Sequence, residues 1–411
     1  MNKTRLYKQS LLAVSIAIAS QQAIAAGFQL NAQSATGVGR AFAGDAVIAD
    51  NAAVMARNPA AMALFDKTSF SMGFESITSL IEAKNVKYLG GALPVNDRDD
   101  IGTTSIAPNI HLIVPVDEKL AFGINAYSNF GTKTEFPDDY PASEYGGLTD
   151  VKSFNFGMAG SYRVNDQLSL GAGLDIIYGQ GTMKRYSGQG MQIGASIPLG
   201  TPLINVDKAD GWAVGFNVGS VYELDENNRF GLAYRYSPEF KAKDDKGQEI
   251  TLPLPDIAEF SGYHKIEDTK FAVHYSVQWI GWSKFDQIEF RNLQGSILGS
   301  SYDKQYQWQD GWHYSIGGTY YLNQDWTLRT GYMYDTSAQD QLTSISVPDS
   351  DRQWFSAGVS YHLDQASAID FGFTYLIGKD VNVKEETPAT SLTAITRANA
   401  ILMGLQYSRS F

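Results

Sequence analysis

Side chains able to do acid–base or metal chemistry are sparse in this 411-residue sequence, and they are scattered. It contains no cysteine, which removes disulfides, thiolate nucleophiles and thiolate-bound metals. The five histidines are His111, His264, His274, His313 and His362, and none has the close spacing of a metal motif. His274 and His313 have Ser276 and Ser315 nearby in sequence, which is the raw material of a hydrolase. In a sheet with a polar face such neighbours arise by chance, so no enzyme is expected. Gly37-Val38-Gly39 lacks the third glycine and the strand–helix context of a nucleotide loop. No cofactor and no metal are expected. The formal net charge of −12 argues against nucleic acid as a partner.

The elements that would position any site begin after an export signal. Lys3, Arg5 and Lys8 precede the apolar run Leu11–Ala19, and Ala23-Ile24-Ala25 fits a cleavage site. Residues 1–25 are therefore read as a signal peptide. Beyond them no apolar run approaches the roughly 18 residues of a spanning helix. Yet 12% of the residues are aromatic and 39 are glycine. An exported chain that enters a membrane without apolar helices must close a β-barrel, because lipid leaves no partner for a free sheet edge.

Alternation supports that class. Phe154, Phe156, Met158, Gly160 and Tyr162 alternate with Asn155, Gly157, Ala159 and Ser161. Phe271, Val273, Tyr275, Val277 and Trp279 alternate with Ala272, His274, Ser276 and Gln278. The first sets are expected to face lipid and the second a polar lumen. A soluble sandwich also alternates, but its inner sets would be packed core, and the aromatics here concentrate near strand ends as interfacial girdles do. Short polar turns at 116–119, 164–167, 224–228, 267–270, 322–325 and 363–367 imply seven outward hairpins. The expected fold is all-β, a 14-stranded antiparallel transmembrane β-barrel over 67–411. Outer loops are expected near 81–100, 133–150, 181–210, 241–258, 283–309, 336–352 and 380–396. The third carries an apolar run, Met191 to Asn205, which suits either an inward cap or a landing site for an apolar ligand. The stretch 26–66 is rich in Ala and Met, is broken by Asn58-Pro59, and is expected to plug the lumen.

The segment from Ala26 to Asp66, "AGFQLNAQSATGVGRAFAGDAVIADNAAVMARNPAAMALFD", resembles the N-terminus of the FadL family of outer-membrane long-chain fatty acid transporters. The similarity continues through "NFGTKTEF" (129–136), "YELDENNRF" (222–230) and "WTLRTGY" (326–332). The resemblance implies that 26–66 is a hatch inside the barrel. It also implies that ligand binds above the hatch and leaves sideways through a kink in the third strand. On matched positions, Arg185 and Lys304 approach the ligand head group, and Phe28 lies against the ligand. Asn129, Phe130 and Gly131 form the kink, where alternation fails after Ile124. Asn58, Pro59 and Ala60 form a hatch motif facing it, with Asn58 able to bond strand groups that the kink leaves free.

The implied partners are long-chain fatty acids or similar hydrophobic small molecules, together with outer-membrane lipid and lipopolysaccharide. The protein is expected as a monomer in the bacterial outer membrane. Two other transport readings stand beside this one. A general porin needs an open lumen. A relative carrying aromatic hydrocarbons needs no cation pair.

Overall fold

The structure, a computed structural model, describes residues 27–411. The expected signal peptide lies outside the described residues. Fourteen strands cross in alternating directions. The first six are β1 (Ser69–Tyr88), β2 (Thr104–Pro115), β3 (120–135), β4 (Leu148–Arg163), β5 (Leu168–Tyr186) and β6 (Pro202–Glu223). Then come β7 (228–243), β8 (249–265), β9 (271–291) and β10 (301–321), each in two pieces. The last four are β11 (Trp326–Asp335), β12 (Arg352–His362), β13 (367–386) and β14 (Ser391–Ser410). Each pairs with its sequence neighbour, and β14 returns to β1 from Ser410↔Ser69 to Leu392↔Tyr88, so the ring is closed.

Side-chain direction follows the period of two. Met72, Phe122, Met158, Leu174, Val214, Ile316 and Leu405 point outward and are exposed in the isolated chain. That is the arrangement a hydrocarbon surrounding favours. Tyr178 pairs with Trp212 and Trp279 with Trp312, marking one girdle. Trp326 packs on Tyr361 at the other end, with ring centroids 4.7 Å apart. The six short turns fall where the sequence placed them.

Several outer loops do not fall where they were expected. The tips are 244–248, 292–300 and 387–390 rather than 241–258, 283–309 and 380–396. Strand pairing continues well past the girdle. There the outward face meets water and turns polar while Phe240, Ile250, Ile288 and Phe290 point inward, so the lipid-facing apolar set that marks a strand in the membrane disappears while the hydrogen-bond ladder goes on.

Residues 27–65 are enclosed by the ring. A helical turn (Ala35–Val38) and two 3₁₀ turns (Ala52–Ala56 and Pro59–Leu64) are capped by Ser34, Asn51 and Asn58, whose side chains accept from Gly37, Ala53 and Ala60 N–H. Inward groups of distant strands hold this segment. Gly44 N–H donates to Ser276 at 2.8 Å, Ala52 N–H to Ser71 at 3.0 Å, and Thr374 donates to Val38 O at 2.8 Å. Ion pairs add to these, buried Arg40 with buried Asp45 at 2.8 Å, and the partly exposed Asp50 with both Arg40 and Arg329 at 2.7 and 3.3 Å. Glycines on the inner wall let the segment approach. A Cβ on Gly219 would lie 2.0 Å from Asn58 Oδ1, and one on Gly331 would lie 2.1 Å from Arg40 O.

Candidate functional site

The third strand is interrupted. Its pieces are Leu120–Tyr127 and Gly131–Glu135. Tyr127 faces Asn155 and Gly131 faces Lys152, so three residues of β3 stand opposite two of β4. This is a bulge, and it reverses which side chains point inward. Tyr127 is buried below it, and Thr132 and Thr134 above it. The β2–β3 ladder ends at Ile110↔Ala126, and residues 104–109 of β2 pair only with β1. The wall between β2 and β3 therefore lacks ladder hydrogen bonds above that level.

The N-terminal residues fill this interval from inside. Gln29 forms an antiparallel bridge with Phe130. Leu30 N–H donates to Asn129 O, and Gly131 N–H to Phe28 O, both at 2.8 Å. The expectation for Asn58 is thereby corrected. Its Nδ2 donates to Ala46 O at 2.9 Å and to Ser220 O on β6 at 3.0 Å, and Pro59 and Ala60 pack on Gly171 of β5. The free groups of β3 go to Phe28–Leu30, whose backbone is extended and can pair; a side-chain amide is not required.

Phe28 sits in an aromatic cluster. Its ring centroid is 4.6 Å from Trp282, 5.4 Å from Phe285, 5.8 Å from Trp308 and 6.3 Å from Phe130. The same contiguous apolar cluster climbs through Ile288, Phe290 and Val206 to Ile204. Ile204 lines a cavity of about 990 Å³ on the outer side of the barrel. Leu203, Ile297, Leu298 and Tyr302 supply its apolar wall. The apolar run of the third outer loop divides between two roles. Leu203 and Ile204 are buried in this wall, whereas Ile193 and Leu199 are exposed beside it. A second hollow, of about 730 Å³, is on the lipid-facing wall over β2–β6 and presents Phe122, Ile124, Met158 and Leu174. It faces hydrocarbon, not the lumen.

Arg185 and Lys304 both line the inner cavity. Neither lies in a loop, as had been expected. Arg185 belongs to the end of β5 and Lys304 to Ser301–Gln305, the outer piece of β10, both past the girdle. Arg185 is fully buried and donates to Leu148 O and Lys184 O at 2.8 Å and to Thr149 Oγ1 at 2.7 Å, while its Nε has no acceptor. Burial pushes its pKa down, but a guanidinium stays charged. Lys304 lies 3.9 Å from Glu385 and over the ring of Tyr306. Burial pushes its ammonium down to about 8, against the pull of Glu385. Arg185 and Lys304 are thus the two buried cations of this cavity, the third, Lys384, being exposed and paired with Glu386, and neutral oxygens take the Arg185 bonds.

The histidines are placed elsewhere. His274 bonds Thr319, His313 bonds Asn31 and lies 3.3 Å from Asp335, and Ser276 bonds Ser261. Neither histidine meets the serine that neighbours it in sequence.

A family of outer-membrane transport proteins, described as OMPP1/FadL/TodX, matches residues 16–411. The chain belongs to this family. It is an outer-membrane β-barrel transport protein. Similar proteins include a long-chain fatty acid transport protein of Escherichia coli, 33% identical with 100% of each chain covered. Among solved structures, a Pseudomonas aeruginosa FadL homologue superposes with a TM-score of 0.84 at 21% identity, over 94% of this chain and 100% of that one. The toluene transporter TodX of Pseudomonas putida superposes at 0.67 and 19% identity, over 88% and 94%.

Of the residues singled out in the sequence, Arg185 and Lys304 come together, and Phe28 and Phe130 come together beneath them. Asn58–Ala60 stand apart from both. Glu385 was missed. It lies in "VKEE", a run that reads as solvated surface, and only the inward fold of the loop 336–351 encloses it.

Proposed function

We propose that this protein takes up long-chain fatty acids, holding the carboxylate at Arg185 and Lys304 and the tail along the apolar column toward Phe28. The observation that carries the reading is a pair of buried cations at the top of an apolar path. A carboxylate left unpaired in such a place is costly, and charge-assisted hydrogen bonds offset that cost. Each buried CH₂ contributes about 0.8 kcal/mol, which favours a long tail. A neutral hydrocarbon, as the name of TodX suggests for that relative, would use the column without the cations.

The same reading makes residues 27–65 a hatch and the β2–β3 interval the exit. Phe28–Leu30 close that interval through three residues of pairing. A tail reaching Phe130 there would pass directly into lipid, without meeting the periplasm. Deleting Ser128 tests this route. The deletion removes the extra residue and puts both halves of β3 in one register and one inward phase. Oleate uptake by cells is expected to fall about tenfold or more while oleate binding to purified protein is kept. Undiminished uptake would count against exit at this point.

Binding should also depend on pH. The Lys304 ammonium is present below its value of about 8 and lost above it. Affinity for oleate is therefore expected to weaken as pH rises from 7 to 10. A bound carboxylate stabilises the ammonium, so the midpoint shifts upward in the complex. Titration of oleyl alcohol over the same range should be flat; parallel curves would remove Lys304 from the head-group site.

A further inference from the structure

The head-group site already contains a carboxylate. Glu385 Oε1 lies 3.9 Å from Lys304 Nζ, and its Oε2 accepts from Ile345 N–H at 2.8 Å. One oxygen is therefore tied to the loop 336–351 and the other is turned to the cation. Both side chains are largely buried, at 12% and 16% exposed. Of the other acids lining the cavity, Asp340 is exposed, and three are engaged elsewhere. Glu144 accepts from Tyr88 and Thr390, Asp303 pairs with Arg291, and Glu386 pairs with Lys384 at 2.9 Å. Among the described residues, Glu385 is the only one with an ion pair to Lys304.

Charge and geometry then set a competition. Arg185, Lys304 and Glu385 together carry one net positive charge, so a single anionic head group makes the site neutral. A head group that contacts the ammonium comes close to Glu385, which lies 3.9 Å from the same nitrogen. A like charge at such range is repelled strongly in a partly dry cavity. The ligand either displaces Glu385 or accepts its repulsion.

Resting on the fatty acid reading above, we propose that Glu385 is a resident counter-ion that competes with the ligand carboxylate for Lys304. In the empty site it keeps a buried ammonium paired. In the loaded site it weakens the hold on an anionic head group, which eases onward movement of the tail. Neutral ligands do not feel it. Because Ile345 N–H holds its second oxygen, displacing Glu385 also disturbs the loop 336–351. That loop is pinned to the outer piece of β3 by Thr134, which donates to Ser346 O.

The test is Glu385→Gln, which keeps an amide oxygen for Ile345 N–H and removes the charge. Oleate and oleyl alcohol are titrated into purified wild-type and variant proteins in detergent, with Trp282 and Trp308 fluorescence as readout. The pH is held at least one unit below the Lys304 value of about 8, because loss of Glu385 also lowers that value. Oleate is expected to bind the variant about tenfold more tightly, with oleyl alcohol unchanged. Wild-type protein that discriminates the two ligands, joined to a variant that binds oleate no more tightly, would overturn the counter-ion role alone. Weakening of both ligands in the variant would assign Glu385 to loop support and also overturn it. Wild-type protein that binds both ligands alike would overturn the head-group reading, and this proposal with it. Lys304→Met in the Glu385→Gln background should abolish the gain; a gain that survives would place its origin elsewhere.

Discussion

Replacing Arg185 and Lys304 together by alanine is expected to weaken oleate binding by on the order of a hundredfold and to leave oleyl alcohol binding nearly unchanged. Hydrogen bonds to charged groups are worth about 1.5–3 kcal/mol each, and two that share one carboxylate fall short of additive. A loss of about 3 kcal/mol corresponds to roughly a hundredfold in Kd. The alcohol carries the same tail, so it also reports whether the apolar column has survived. Arg185 ties Leu148, Lys184 and Thr149 together, so its loss could loosen the top of β4 and β5. A loosened wall would reduce both ligands together, which separates it from a lost charge contact. The variant also strands Glu385, which repels an anion in the same direction. Adding Glu385→Gln to the pair removes that contribution and leaves the effect of the two cations. Equal loss for acid and alcohol would contradict the assignment.

Gly219→Val together with Gly331→Val is expected to turn the closed protein into an open pore. Each new Cβ would fall far inside contact distance, 2.0 Å from Asn58 Oδ1 and 2.1 Å from Arg40 O. The strands tolerate valine, which suits a pleated surface. Overpacking of this kind costs about 1–3 kcal/mol per site. That cost falls on the N-terminal segment, because the ring closes through β1 and β14 without it. Asn58 would lose its seat against Ser220, and Arg40 its place between Asp45 and Asp50. Single-channel conductance in planar bilayers is expected to rise at least several-fold over wild type. A variant that assembles as a barrel and conducts no more than wild type would show that residues 27–65 do not close the lumen.

The barrel was legible because lipid imposes a period of two, and because six short polar turns punctuate the chain. Where lipid ends, the signal ends. The outer pieces of β7, β8 and β9 pair just as well, but their alternation is inverted, with Phe240, Ile250, Ile288 and Phe290 inward and Lys241, Glu249 and Glu289 outward, so they lack the lipid-facing apolar set and read as loop. The fault in β3 was visible as lost alternation after Ile124. Its partner was not visible, because three residues of pairing by Phe28–Leu30 leave no periodic trace. Asn58 was credited with that role for its chemistry, yet its amide is committed to Ser220 and Ala46. Arg185 and Lys304 were marked by resemblance alone; an isolated Arg and Lys near strand tips carry no pattern of their own. Glu385 lay beyond sequence reasoning, since nothing in "VKEE" says which acid a distant loop will bury.

The central claim is that an anionic head group rests between Arg185 and Lys304 with its tail directed toward Phe28. A crystal structure of the protein with bound oleate tests it most directly. The account predicts carboxylate oxygens about 3 Å from the Arg185 guanidinium and the Lys304 ammonium, with the methyl end nearer Phe28 and Phe130. An oleate lying with its carboxylate in solvent at the loop mouth, or with the chain reversed, would contradict it.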